Sequence, residues 1–337
     1  MLTVALDVMA CDLGPAATVG GAAAVSLGEH APRILLVGDD AEIGKVLDHV
    51  EHDPAKLRVV HAPEFIPMHA SPRELESTPD ASIAVAARLV HEGEADVLVS
   101  AGNTGAVTMA CARAFGRLPG VKRTALGAVY PTERRRGEKD DPFSLILDAG
   151  LTLEANADDL VCFATMGSAY AALVSRNPRP RVALLSNGSE PSKGPPSVVE
   201  AHARLRERTD IEFIGNVEGM DIPKGTADVI VTSGFMGNVV LKMLEGVAQT
   251  VLRLGRYAMK QKLRYKAGLA LLAPAVKQLR EVTDWQQYGG APILGFDRLC
   301  IKAHGRSSAV AVQNAIKVAT RATRSGLVET MRTALSV

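Results

Sequence analysis

Six short turns carry the residue types best suited to holding an anion. They run from Asp7 to Pro15 (DVMACDLGP), Ser100 to Gly105 (SAGNTG), Asp148 to Thr152 (DAGLT), Asn187 to Gly194 (NGSEPSKG), Thr232 to Asn238 (TSGFMGN) and Lys302 to Gly305 (KAHG). Glycine lets a backbone N–H come close to an oxyanion, and Ser, Thr and Asn add side-chain donors. A helix that follows such a turn favours the anion's charge with its N-terminus. Glycine also ends strands with no ligand involved, so any one turn carries little. Six of them point to an anion site along the edge where they gather.

The elements that must position these turns are short β-branched apolar runs: TVALDVM, RILLVGD, ADVLVSAG, ALGAVYP, SLILDAG, RVALLSNG, EFIGNVEG, DVIVTSG and LCIKAHG. Continuous apolar runs of this length predict strands buried on both faces. Between many of them lie helix-like stretches, such as ASIAVAARLVHEG, DDLVCFATMGSAYAALVS and SVVEAHARLRER. Strand and helix in alternation predict an α/β fold with a mostly parallel sheet. In such folds a ligand sits at the carboxyl ends of the strands, which is where the six turns fall.

Composition removes several classes. With 337 residues, 47% of them apolar, the chain can bury a large core. Its 38 basic and 37 acidic residues give a net charge of +1, far from a nucleic-acid coat, and 4% aromatics make a poor stacking platform for single strands. No nucleic-acid partner is expected. Cys11, Cys111, Cys162 and Cys300 have no CxxC spacing, which suits a reducing cytoplasm better than a disulfide framework. No HExxH or paired-His spacing suggests a metal, and no GxGxxG, GxxxxGK[ST] or GxSxG appears. The N-terminus has no basic leader before Asp7, and no run of about 18 uncharged apolar residues predicts a membrane span.

Two charged segments stand apart. Residues 246 to 281 carry Arg253, Arg256, Lys260, Lys262, Arg264, Lys266, Lys277 and Arg280 with no acid between Glu245 and Glu281. Interleaved leucines give them an apolar side. This predicts a protruding basic amphipathic helical segment able to rest on anionic lipid or an acidic protein, or simply a packed helix with a solvated basic face. Arg134, Arg135 and Arg136, flanked by acids, read as a charged surface loop.

Taken in order, ALDVMACDLGP, SAGNTGA, LDAG, FATMGSAYA, ALLSNGSEPSKG, FIGNVEG, ADVIVTSGFMGNVVLKMLEG, YGGAPILGF and IKAHGRSS resemble the PlsX family of bacterial acyl-ACP:phosphate acyltransferases over essentially the whole chain. The resemblance implies a single Rossmann-like α/β/α sandwich over residues 1–337, related to isocitrate and isopropylmalate dehydrogenases and to phosphotransacetylases. It implies transfer of a fatty acyl group from acyl carrier protein to inorganic phosphate, with no cofactor. It implies a homodimer that associates peripherally with the membrane and feeds a membrane glycerol-3-phosphate acyltransferase. Phosphate is already a competent nucleophile, so such a site must align it with the thioester carbonyl and stabilise the oxyanion that forms.

On the same resemblance Lys193, Asn238 and His304 are the candidate catalytic residues. Taken alone, Lys193 is a loop lysine, Asn238 a helix cap and His304 a structural histidine. Phosphate and substrate binding falls to Asp7, Asp12, Gly14, Ser100, Gly102, Asn103, Thr104, Gly105, Asp148, Asn187, Gly188, Gly234 and Gly237. Membrane or carrier contact falls to Arg256, Lys260, Lys262, Arg264 and Lys266. Four stretches depart from the family pattern. Ala10 and Cys11 replace glycines. Glu74, Glu76 and Asp80 stand where positive charge is expected. Gly150-Leu151-Thr152 replaces GAN, and Ser233 replaces an acid. These substitutions leave three readings: an active divergent acyltransferase, a silent module that binds acyl chains, carrier or a partner, and a phosphotransacetylase-type enzyme using acyl-CoA.

Overall fold

The computed structural model describes residues 1–136, 141–260, 265, 271–272 and 289–336. In its first half, β1 (Thr3–Asp7), β2 (Arg33–Gly38), β3 (Leu57–His61) and β4 (Val97–Ser100) are joined by α1 (Pro15–Ser26), α2 (Asp40–Leu47), a 3-10 turn (Pro72–Glu76) and α3 (Ser82–His91). After α4 (Thr104–Ala114) come the paired strands β5 (Ala125–Arg136) and β6 (Asp141–Leu147), then α5 (Ala157–Val174). The second half continues with β7 (Arg181–Leu185), α6 (Pro196–Arg206), β8 (Glu212–Val217), α7 (Asp221–Lys224), β9 (Val229–Val231) and α8 (Gly234–Lys260). The chain returns through β10 (Ala291–Leu294) and β11 (Leu299–Lys302) and closes with α9 (Ala309–Arg324) and α10 (Leu327–Leu335).

All eleven strands form one sheet in the order β3-β2-β1-β4-β11-β10-β5-β6-β9-β7-β8. The outer groups, β3-β2-β1-β4-β11 and β6-β9-β7-β8, are each parallel. In the middle, β10 is antiparallel to β11 and to β5, and β5 is antiparallel to β6. The two parallel groups therefore point in opposite directions. The six turns do not share one edge: three close the first half's strands and three close the second's.

Side chains alternate across the sheet, as the two-residue period of a strand requires. Val4 and Leu6 of β1 join a core formed with α1, α5, α9 and α10, while Ala5 joins a core formed with α3 and α4. A third, smaller core lies under the inner turns of α8. Helix starts follow local chemistry. Asp39 accepts the Glu42 N–H at the head of α2, Asn156 and Asp159 form a reciprocal capping box at α5, and Ser308 caps α9. α5 is apolar along most of its length because 12 of its residues are buried against both halves of this core.

The nine strands expected from apolar runs all form. β3 and β10 are additional. The arginine run is not a loop: β5 continues through Arg136 before β6 begins at Asp141. α8 is about 40 Å long at 1.5 Å per residue. Its inner turns place Val240, Leu241 and Leu244 on the third core. Beyond Gly246 it leaves the body, with Val247, Val251, Leu254 and Tyr257 exposed.

Gly237, in the first turn of α8, is the tightest approach between helix and sheet. A Cβ there would sit 1.9 Å from the Asp148 carbonyl oxygen. Gly237→Ala must push α8 away from that strand end. Chemical denaturation should show a loss of roughly 1–3 kcal/mol, the range for forced overpacking.

Candidate active site

A cavity of about 450 Å³ opens where the two half-sheets meet. Its floor is the antiparallel centre of the sheet, with Leu126, Ala128 and Val129 from β5 and Ala291 from β10. The first half contributes Met68, Thr104, the stretch from Lys302 to Gly305, and Ser307. The second half contributes Ala149 and Gly150 after β6 and Asn238, Leu241, Lys242 and Glu245 of α8. The volume suits a small-molecule site.

One end of the cavity gathers polar and charged groups. α4 begins at Thr104, α9 begins two residues before Ala311, and α8 begins four residues before Asn238. The first turns of α4 and α9 thus border this end and the first turns of α8 border the opposite wall, and a helix's first turn carries N–H groups without intrahelical partners. Ser307 Oγ is buried in the wall and has no hydrogen-bond partner among the described residues. His304 is half-buried, and burial together with the Lys242, Lys302 and Arg306 charges lowers its pKa. Its Nδ1 accepts the Arg306 N–H at 3.2 Å, so the ring carries no charge at neutral pH.

Lys302 is the buried lysine of this wall. It closes β11, is 6% exposed and lines the cavity. Its Nζ donates to the Ala303 carbonyl. Burial pushes its pKa down to about 8. Behind it, Asp7, Ser100 and Lys302 form one register row across β1, β4 and β11. Asp7 accepts the Ser100 O–H at 2.6 Å and the Ser82 O–H at 2.7 Å. Burial raises the Asp7 pKa, and those two bonds and the Lys302 charge oppose the rise. Asp7 and Ser100 are fully enclosed and position the row rather than contacting a ligand.

The opposite wall depends on Asp148. This buried carboxylate accepts the Leu126 N–H at 2.9 Å, Gly150 at 3.0 Å, Leu151 at 3.1 Å and Thr152 at 2.6 Å. Its oxygens are engaged by backbone, and a carboxylate would repel phosphate. Asp148 therefore shapes the loop. The fold it imposes gives Gly150 a φ of 139° and lays it against Asn238, 3.6 Å from where a Cβ would be. Gly234 and Gly237 are needed for the same close contact, since a Cβ on Gly234 would meet Thr152 backbone at 2.8 Å. Asn238 is exposed in the second turn of α8, so it is not a cap.

The remaining expected residues separate into groups. Asn103 caps α4 by accepting the Ala106 N–H at 3.1 Å, and its amide donates to the Met68 and Ala70 carbonyls. It anchors the loop that carries Met68. Gly102 and Gly105 allow close packing, against Ala10 and Pro72. Asp12 and Gly14 lie on the 7–15 turn, which meets the cavity wall where the Asp12 N–H donates to the Gly305 carbonyl. Asn187 and Lys193 are exposed, Gly188 packs beside Lys193, and none of the three lines the cavity. Their turn follows β7, two strands from β6, or about 10 Å away at ordinary strand spacing. The side chains of Arg256 and Lys260, and all of Lys262, Arg264 and Lys266, lie outside the described residues. Among the described residues, no His, Cys, Asp and Glu cluster could hold a metal ion.

The departures from the family pattern are accommodated without strain. Among the described residues Arg176 alone has a positive φ without being glycine, so Ala10 and Cys11 sit in ordinary backbone. Cys11 Sγ instead donates to the Gly305 and Ser307 carbonyls, at 3.3 and 3.5 Å. The acids of 73–80 face away. Glu74 bonds the Ser71 N–H, Glu76 pairs with Arg113 at 3.4 Å and Asp80 with Arg88 at 3.3 Å.

The family model described as fatty acid synthesis protein matches residues 2–330. The phosphate acyltransferase of Myxococcus xanthus is 43% identical over 93% of this chain and 88% of its own length. That of Moorella thermoacetica is 40% identical over 97% and 94%. Among solved structures, a phosphotransacetylase from Streptococcus pyogenes covers 100% of the chain and 94% of its own with a TM-score of 0.59. A 4-hydroxythreonine-4-phosphate dehydrogenase from Klebsiella pneumoniae covers 96% and 99% with a TM-score of 0.51. Both are 15% identical and speak for the α/β fold alone. The depth of the sequence matches over nearly the whole length places the chain in the phosphate acyltransferase family, as an acyltransferase.

Proposed function

We propose that this enzyme transfers a fatty acyl group from the thioester of acyl carrier protein to inorganic phosphate. The product is an acyl phosphate, passed to a membrane glycerol-3-phosphate acyltransferase. The observation that carries the reading is the two-sided cavity. One end gathers Lys302, the starts of α4 and α9 and a Ser307 hydroxyl that has no hydrogen-bond partner among the described residues. The rest is walled by Leu126, Ala128, Val129, Leu241, Ala291 and Ala311. A dianion suits the first and an acyl chain the second.

The chemistry needs no protein nucleophile. Ser307 has no base to activate it, and phosphate attacks without activation. The helix ends and Lys302 hold phosphate beside the thioester carbonyl. Asn238, whose exposed side chain lies beside Gly150 in the second wall, stabilises the tetrahedral oxyanion. Lys193, exposed on the turn after β7, is offered to the carrier-bound end of the substrate. The apolar walls favour a fatty chain over acetyl, which argues against a phosphotransacetylase acting on acetyl-CoA. The unstrained Ala10-Cys11 turn and the outward-facing acids remove the grounds for a silent module.

The exposed apolar stripe of α8 (Val239, Met243, Val247, Val251 and Leu254) is offered to a second copy, as a homodimer. The basic residues of the 246–281 sequence are offered to acidic carrier protein or to anionic lipid at the cytoplasmic membrane surface.

With purified enzyme, a long-chain acyl carrier thioester and inorganic phosphate, acyl phosphate should form in proportion to phosphate, and acetyl-CoA should be a poor donor. Asn238→Ala should lower kcat/KM by on the order of 10², the cost of one oxyanion donor. Lys193→Ala should lower it as well, chiefly by raising KM for the carrier. Loss of thioester without phosphate dependence would reject the reaction. Reversing Lys260, Lys262, Arg264 and Lys266 to Glu should weaken sedimentation with anionic vesicles, an attraction that salt also weakens; unchanged binding would exclude this face as the lipid contact.

A further inference from the structure

The reaction proposed above leaves a proton to be placed. When phosphate attacks the thioester carbonyl, a C–O bond forms, the C–S bond breaks and its electron pair departs on sulfur. An alkyl thiolate is a poor leaving group and is helped by a proton as it departs. The sequence motifs suggest His304 for this, but the half-buried ring is neutral, with Lys242, Lys302 and Arg306 close to it. Lys242 is exposed and paired with Glu245 at 2.8 Å.

Lys302 differs from both. It is enclosed at the end of β11, in the wall of the cavity, with Nζ held by its neighbour's carbonyl. It stands in register with Ser100, whose hydroxyl is taken by Asp7, and Asp7 is fixed from the other side by Ser82. The row anchors the lysine's surroundings from three strands and α3. We propose that, within the acyl-transfer reading, Lys302 is the general acid that protonates the departing thiol. An Nζ–H proton moves to sulfur as the C–S bond breaks. The neutral amine is then recharged by the proton that HPO4²⁻ brought, released from the acyl phosphate product. One proton passes from phosphate to thiol in each turnover, and no other reactant is needed.

The proton affinity is suited to this task. Desolvation brings Lys302 to about 8, close to an alkyl thiol near 8.5. The groups facing it are Asp7 on β1, Cys11 and Asp12 on the following turn and Cys300 on its own strand, whose charges would raise it, while burial dominates and lowers it. His304 lies next along the chain, and Glu245 and Lys242 face the cavity from α8. The acid is present below about 8 and lost above it, so kcat should fall on the alkaline side.

The test compares two acyl thioesters of equal chain length. One has an alkyl leaving thiol, as acyl-pantetheine. The other has an aryl thiol acidic enough to depart unprotonated. For the unmodified enzyme, kcat with the alkyl ester should decline above pH 8, and with the aryl ester it should stay flat. This comparison needs no variant. Lys302→Met should lose on the order of 10²–10⁴ in kcat with the alkyl ester and far less with the aryl ester. Lys302→Arg, charged at every pH used, should keep the KM for phosphate without restoring kcat. Recovery of alkyl-ester kcat by Lys302→Arg, or equal losses on both esters, would overturn the proposal and leave Lys302 as a fixed charge. An unmodified enzyme that makes acyl phosphate from neither ester would instead reject the acyl-transfer reading itself.

Discussion

A single buried carboxylate holds the middle of this molecule together. Asp148 collects the N–H groups of Leu126, Gly150, Leu151 and Thr152, joining the start of β5, the end of β6 and the loop beyond it. Burying a charge is costly unless hydrogen bonds replace its water, and here backbone donors do so. Because that loop is fixed, α8 can approach until Gly237 touches the Asp148 carbonyl oxygen. Because α8 is fixed, Asn238 faces Gly150 across the cavity wall. Without Asp148 the second half would have a sheet but no wall.

The reversal at the centre of the sheet gives the cavity its character. In a sheet of one direction, every helix begins at the same edge and a ligand lies along that edge. Here β10 and β5 turn the second half around. Helix N-termini from both halves then converge on the central strands from either side. The floor between them is antiparallel and apolar. The same reversal yields both the anion end and the chain-sized walls, from elements that are individually ordinary.

Much of this was legible in the sequence, and the omissions have physical reasons. Nine apolar runs gave nine strands because strands buried on both faces carry no polar interruptions. β3 escaped notice because it is an edge strand, with Arg58, Val59 and His61 exposed. β10 escaped because it is four residues long, includes Pro292 and sits between glycines. The glycine and asparagine turns read as anion sites, yet Asn103, Asp148, Gly234 and Gly237 are engaged in packing and loop shape. A motif shows that a residue type is required, not whether ligand or backbone requires it. Lys302 was visible only as the first letter of a turn. The one local signal was a lysine closing an otherwise apolar run. Its register row joins both ends of the chain, and that pairing is set by topology.

α8 also has a mechanical aspect. Its inner turns are part of the cavity wall, and its outer turns stand clear of the body. A helix transmits displacement along its length far better than a loop does. A partner gripping the outer turns tightly enough to tilt the rod would move Asn238, Leu241 and Lys242 with it. Occupancy of the cavity would then alter the grip by the same free energy, since coupling between two sites is reciprocal. Whatever binds the outer turns of α8 and whatever fills the cavity would in this sense act on one lever.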